Sequence, residues 1–248
     1  MSILLAVDDT TFRRCVLAAP LPVLVCFHAP GCVASAALLP MLGQLAPRYA
    51  GRLMFAEIDA DANVAEQYGV AVSPSLLVFR YGNEVLRSPG FLPARLLALL
   101  CDDAVEADTD YPRLWTPLEE RFEEAALLPL LDTLELRYER QHQIVNWPKS
   151  ARSGRIDLLV HDAAGLVTVI ESKRALRGEI DLRAAARQAH SYARAMGTRS
   201  FVVAAPAGMW VYACHGAHAL LDHAFTWLDL HDSVEPLADA LHALRTPM

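Results

Sequence analysis

Two stretches hold residue types that do chemistry only in combination. One reads Gly154-Arg155-Ile156-Asp157-Leu158-Leu159-Val160-His161, the other Val167-Thr168-Val169-Ile170-Glu171-Ser172-Lys173. Between them, Asp162-Ala163-Ala164-Gly165-Leu166 has the makings of a hairpin. Asp suits the first position of a type I turn, and Gly suits the left-handed position of a three-residue loop with a bulge. That loop pairs Asp162 with Leu166, and counting back along both strands sets Asp157 opposite Glu171. Side chains alternate along a strand, so Lys173 shares the face of Glu171 and Arg155 that of Asp157. Two carboxylates and a lysine converge at the end of an apolar strand. Buried carboxylates need a partner, and a divalent cation is a natural one. Charges at strand ends are more often simply solvated, so the spacing alone leaves both readings open.

Gln188 and Tyr192 lie four apart on a predicted helix, hence on one face. Arg183, Arg187 and Arg194 form a stripe beside Gln188, which suits phosphate tracking or, taken alone, a solvated helix side. Arg174 and Arg177, just past the lysine, have the same two readings. Cys32 is the other reactive candidate. It follows the apolar run Val23 to His28 in Val-Leu-Val-Cys-Phe-His-Ala-Pro-Gly-Cys-Val-Ala-Ser (23–35), at a predicted helix start, where a thiol loses its proton more readily. The five cysteines include no C-x-x-C pair, so neither a disulfide framework nor a zinc site is signalled.

The elements that must position these groups are α/β throughout. Strands are expected at Val23–His28, Leu53–Ile58, Ser75–Arg80 and Glu84–Arg87. Helices are expected at Val33–Tyr49, interrupted at Pro40, and at Leu92–Leu100. The acidic, coreless run Asp102 to Asp110, followed by Pro112 and Pro117, reads as a linker, which divides the chain into 1–103, a linker at 104–115, and 116–248. The second part opens with a helix signed by Thr116 as N-cap, Pro117 at the first position, and Glu119 and Glu120 in the first turn. Strands follow at about 138–145, 155–161 and 166–172, then a helix over 181–196 ending at Gly197. Strands at 200–204 and 209–214 and an amphipathic helix near 234–245 complete it.

The first hundred residues resemble thioredoxin. The run 23–35, Pro40, the strand Phe55-Ala-Glu-Ile-Asp59 and Tyr68-Gly-Val-Ala-Val-Ser-Pro74 carry the resemblance, which implies a thioredoxin-like fold with a cis-proline at Pro74 near Cys32. Disulfide reduction takes two thiols, one to attack and one to resolve. Here the resolving position is Ser35, the usual preceding tryptophan is Gly31, and the family's buried aspartate is Cys26. The resemblance therefore implies a redox-degenerate docking or regulatory module, with a monothiol at Cys32 as the rival reading.

The second part resembles the PD-(D/E)xK nucleases, whose order of strand Asp, strand Glu-x-Lys and helix Gln-x-x-x-Tyr is matched by Asp157, Glu171-Ser172-Lys173 and Gln188 to Tyr192. An upstream helix in that family supplies a glutamate; Glu119 matches it, with Glu120 or Glu123 as alternatives. The resemblance implies a restriction-endonuclease-like core, a mixed sheet flanked by helices, that hydrolyses phosphodiesters. Asp157, Glu171, the Ser172 carbonyl and Glu119 would hold Mg²⁺, with Mn²⁺ as a substitute, since oxygen ligands suit hard cations. Lys173 would orient or deprotonate water or neutralise charge, Gln188 and Tyr192 would support the site, and Arg174, Arg177, Arg183, Arg187 and Arg194 would contact DNA. DNA rather than RNA and internal cutting are the expectations, with a homodimer and a protein partner at the thioredoxin-like part as further possibilities.

Charge is uneven. Of 248 residues with net charge −7, residues 1–111 carry −5, 112–199 carry +2 and 200–248 carry −4. The middle segment is the one whose electrostatics favour a polyanion. The start lacks the basic, long apolar pattern of a signal peptide and no run is long enough to span a bilayer, so a cytoplasmic protein without membrane partners is expected. Two rival functions stand beside the nuclease: an interaction protein built from two degenerate domains, and a monothiol redox protein with a nucleic-acid-binding second half.

Overall fold

The computed structural model describes residues 4–107, 113–144 and 154–244. The chain divides into two compact units, Met1–Pro117 and Leu118–Met248. In the first, strands β1 (Leu5–Ala6) and β2 (Val23–His28) are followed by α1 (Val33–Leu45), β3 (Met54–Asp59), α2 (Asn63–Gln67), β4 (Ser75–Arg80), β5 (Asn83–Pro89), α3 (Ala94–Glu106) and β6 (Arg113–Leu114). The sheet order is β1-β3-β2-β4-β5-β6, with β4 antiparallel to both neighbours. β2 is central, and its run from Val23 to Phe27 is fully buried, as a near-continuous apolar strand in mid-sheet must be. α1 continues through Pro40 rather than breaking there. The expected linker is corrected at both ends: α3 runs on to Glu106, and Arg113–Leu114 pair in parallel with Leu86–Arg87 as a sixth strand. Residues 108–112 of that stretch lie outside the described residues.

The second unit begins with α4 (Glu119–Phe122), a π turn (Glu123–Leu127) and α5 (Leu128–Thr133). The helix starts later than its sequence signature suggested. Leu118 is the N-cap residue with no side-chain cap, so Thr116 and Pro117 precede the helix. Glu119 and Glu120 do stand in the first turn, where they complement the helix dipole. Then come β7 (Arg137–Gln143), β8 (Arg155–Asp162), β9 (Gly165–Ser172), α6 (Glu179–Met196), β10 (Ser200–Ala205), β11 (Gly208–His215), β12 (His218–Phe225), α7 (Trp227–Asp232) and α8 (Glu235–Ala243). Val145, at the end of the strand expected at about 138–145, lies outside the described residues. The sheet order is β12-β11-β10-β9-β8-β7, antiparallel except for the parallel β9–β10 pair. That pair needs a crossover, which α6 supplies.

The two faces of this sheet are covered differently. Leu159, Val169, Phe201 and Val203 pack with Ala185, Ala189 and Tyr192 of α6. Ser172, of opposite parity to Val169, reaches Glu123 at the π turn, and on that helix Phe122 meets Trp227 of α7 edge to face, ring centroids 5.8 Å apart. α6 ends at Gly197 in the left-handed conformation (φ +72°), the expected stop.

Candidate functional site

The β8–β9 hairpin sets the spacing of the second unit's acids, and its tip differs from the expected loop. Asp162 pairs with Gly165, leaving a two-residue turn in place of three. The cause is the Asp162 carboxylate, whose Oδ1 accepts from the Ala164 and Gly165 amides at 2.7 and 3.0 Å. Gly165 takes φ +127°, a value open to glycine. The residue saved at the turn is taken up lower down, where the register shifts and Val160 pairs with Thr168 rather than Val167. Leu158 pairs with Ile170, so the next position sets Asp157 opposite Glu171, the register anticipated from the sequence.

At that end of the hairpin, Glu171 is 2% exposed and its Oε1 bonds the Lys173 ammonium. Its Oε2 is buried with no hydrogen-bond partner among the described residues. Asp157 Oδ2 accepts the Ser172 amide at 2.9 Å and lies 3.3 Å from the Ser172 hydroxyl. Burial, then the nearby Asp157 charge, push the Glu171 carboxyl up to about 7. Burial also raises Asp157, against the Ser172 amide bond that opposes the shift. For Lys173 burial works against the charge, yet the Glu171 carboxylate holds its pKa above the ordinary value. Glu119, at the start of α4, adds its charge to all three groups and its Oε1 accepts the Arg174 amide at 3.4 Å. Asp157, Glu171 and Glu119 outnumber the one Lys173 ammonium among them, and a cation relieves the excess of negative charge. Among the described residues, no three or more His, Cys, Asp or Glu side chains gather closely enough to hold a metal by themselves. Asp157 and Glu171 are oxygen donors of the kind Mg²⁺ takes, since that ion is commonly bound by one or two carboxylates and keeps water or phosphate oxygens elsewhere.

A cavity of about 520 Å³ opens beside Lys173. Ala175 and Leu176 line one side, and Ala184, Arg187, Gln188 and Tyr192 of α6 the other. Gln188 Nε2 donates to Tyr192 Oη at 3.0 Å, and Tyr192 is 1% exposed, so the spacing of four brings both to the sheet beside the acids. Arg174, Arg177, Arg183, Arg187 and Arg194 are all exposed. Arg183 pairs with Glu179 one turn away, its Nε 3.1 Å from the carboxylate, so part of its charge is answered within the helix.

In the first unit Cys32 is the N-cap residue of α1 and is half-buried. Its thiol donates to the Ser73 carbonyl at 3.4 Å, beside the cis Ser73–Pro74 bond. Ser35 Oγ lies 3.4 Å from Ser73 Oγ. Hydrogen bonding from the Ser35 hydroxyl, then from its amide, lowers the Cys32 pKa.

Comparison with known proteins bears on this unit. The thioredoxin family matches residues 3–101. Thioredoxin 1 of Synechococcus elongatus is 36% identical over 104 residues, covering 41% of this chain and 97% of that protein. Thioredoxin of Haemophilus influenzae is 35% identical over 100 residues, 40% of this chain and 94% of its own length. The chain belongs to the thioredoxin family. The likeness is to the first unit, and the thioredoxin unit keeps the fold with altered chemistry at three places. Ser35 stands where a second thiol would resolve a mixed disulfide. Gly31 precedes Cys32. Cys26 is fully buried in β2, where burial pushes its thiol up to about 12. Glu123, by contrast, emerges as a site residue that sequence reasoning held only as an alternative: it is 1% exposed and accepts the Ser172 hydroxyl at 2.6 Å. Its spacing of four from Glu119 is the signal that could have found it.

Proposed function

We propose that the second unit hydrolyses phosphodiester bonds of DNA with Mg²⁺ as cofactor, cutting internally, and that the thioredoxin unit serves docking or regulation. The observation that carries this reading is the convergence of Asp157, Glu171 and Lys173 at one end of the β8–β9 hairpin, with a buried Glu171 oxygen that has no partner among the described residues. The resemblance of Asp157, Glu171-x-Lys173 and Gln188-x-x-x-Tyr192 to the PD-(D/E)xK pattern supports the same assignment, and implies a restriction-endonuclease-like core.

Asp157 and Glu171, with the Ser172 carbonyl, would hold the cation, and Glu119, expected from the sequence as a further ligand, would add its negative charge from the start of α4. When bound, it lowers the pKa of water and neutralises charge on phosphate oxygens. Lys173 acts as an ammonium: its raised pKa favours stabilising charge on the attacked phosphate over taking a proton. Gln188 and Tyr192 brace the α6 side, and Arg187 in the cavity beside Lys173 meets the phosphate on the next nucleotide. Arg174, Arg177 and Arg194 add exposed positive charge along the same approach, which positions a backbone without reading bases.

Incubation of supercoiled plasmid with Mg²⁺, Mn²⁺ or EDTA tests the proposal. Metal-dependent nicking that falls by at least about a hundredfold in Lys173→Ala is the expected result. Intact plasmid, linear DNA and single strands with either metal would remove the nuclease reading and leave the interaction-protein alternative. A regulatory role for Cys32 predicts that oxidant changes cutting by the wild type but not by Cys32→Ser.

A further inference from the structure

Glu123 is only an alternative to Glu119 in the motif that carries the proposed chemistry, yet it is buried as Glu171 is. It opens the π turn of the first helix of its unit, and widened turns of this kind recur at functional sites. Both of its oxygens are claimed by protein donors. Oε1 accepts the Ser172 hydroxyl at 2.6 Å, and Oε2 accepts Arg140 at 3.2 Å. Glu171 differs in this respect, since one of its oxygens is unclaimed among the described residues. A carboxylate spent on a hydroxyl and a guanidinium has little left for a cation.

Ser172 stands between two acids. Its hydroxyl has one proton, and the separations of 2.6 Å to Glu123 and 3.3 Å to Asp157 assign that proton to Glu123. Its amide then serves Asp157 Oδ2 at 2.9 Å. Serine is therefore the residue that couples them: alanine would lose the side-chain bond to Glu123 while keeping the amide. We propose that Glu123 is a positioning residue: anchored by Arg140, it holds Ser172 from one face of the sheet so that the Ser172 amide holds the Asp157 carboxylate opposite Glu171. The inference rests on the reading of Asp157 as a cation-holding group, and assigns Glu123 a supporting role rather than that of a ligand.

The Ser172 amide reports on this directly, because its acceptor is the Asp157 side chain rather than a neighbouring strand. Amide hydrogen exchange measured by NMR on the whole protein in EDTA gives the test. In Glu123→Ala the Ser172 amide is expected to exchange at least about tenfold faster. The Lys173 amide, bonded to the Ala204 carbonyl at 2.8 Å, should keep its wild-type rate. Ser172→Ala should speed the amide at position 172 to a similar extent, and the double variant should be no faster than either single one, as members of one chain of contacts behave. Unchanged exchange at Ser172 in Glu123→Ala overturns the proposal, as does equal acceleration at Lys173, which marks a general loss of packing. Should Glu123→Ala not fold, Ser172→Ala decides: a wild-type rate at position 172 overturns the proposal. This readout needs neither metal nor substrate. Its failure leaves the nuclease reading standing, and an inactive protein can still show the effect.

Discussion

At Glu171 a carboxyl is held near neutrality by burial while a lysine is held charged beside it. The sign of the resulting pH dependence follows from the direction of the shift. With a folded-state value of about 7 against an ordinary 4.5, the folded protein binds the proton more tightly than the unfolded chain. The associated stability is fully present below 4.5 and is lost as pH rises through 7. In EDTA, the urea midpoint for the second unit should decline across that window by the equivalent of roughly 3 kcal/mol, and Glu171→Gln should flatten the decline. Cys32 shifts the other way. Its lowered pKa predicts that alkylation by iodoacetamide reaches half its maximal rate below the free-thiol value of about 8.5, and that Ser35→Ala moves the midpoint up. Cys26 and Cys101, both pushed up to about 12, should remain unmodified in the native protein. The facing of Asp157, Glu171 and Lys173 was legible in the sequence because strand alternation has a fixed period. The role of Ser172 was not, since its partner Glu123 is 49 residues away and a π turn leaves no pattern of its own.

At the scale of elements, α6 joins the candidate site to the core. Tyr192 belongs to both, packed under the sheet and bonded to Gln188. Tyr192→Phe should cost about 1 kcal/mol by urea unfolding while reducing activity, whereas Tyr192→Ala should cost about 3–5 kcal/mol through the cavity it leaves. The exposed face of the same helix predicts an electrostatic signature. On the proposed function, Arg187→Ala should weaken DNA binding alike for all sequences and reduce the slope of log affinity against log salt by about 0.9. α6, the central strands and the Gly197 stop could all be read from periodicity and capping. The hairpin tip could not, because a three-residue loop and a two-residue turn with a bulge give the same register below it. β12 was also missed. Its Leu220 and Leu221 are adjacent and both exposed, and a bulge at Val211/Tyr212 displaces its register, so the alternation that marks a strand is broken.

For the whole molecule, two units with separate sheets and cores imply separate cooperative transitions. Calorimetry should resolve two, with Mg²⁺ at a hundred times its Kd stabilising one of them by about 2.7 kcal/mol and Asp157→Ala abolishing that gain. No described helix is long and apolar enough to cross a membrane. The division into two parts was visible in the composition change after Cys101, but the joint was placed too early because an acidic run masks a strand as short as Arg113–Leu114. That strand has a consequence for how the chain can be divided. The family match ends at residue 101, yet β6 covers the β5 edge, and Trp115 follows it with its amide on the Arg87 carbonyl at 2.6 Å and its indole on Asp103 at 2.8 Å. A fragment cut where the likeness ends would bare a sheet edge that the longer piece keeps closed, and bare edges recruit other strands. Fragment 1–117 should stay monomeric by light scattering, and fragment 1–101 should self-associate on warming. The border of the family match and the border of the compact unit are thus different places in this chain, and a graft or gene fusion that is to keep the sheet edge covered is cut at the second.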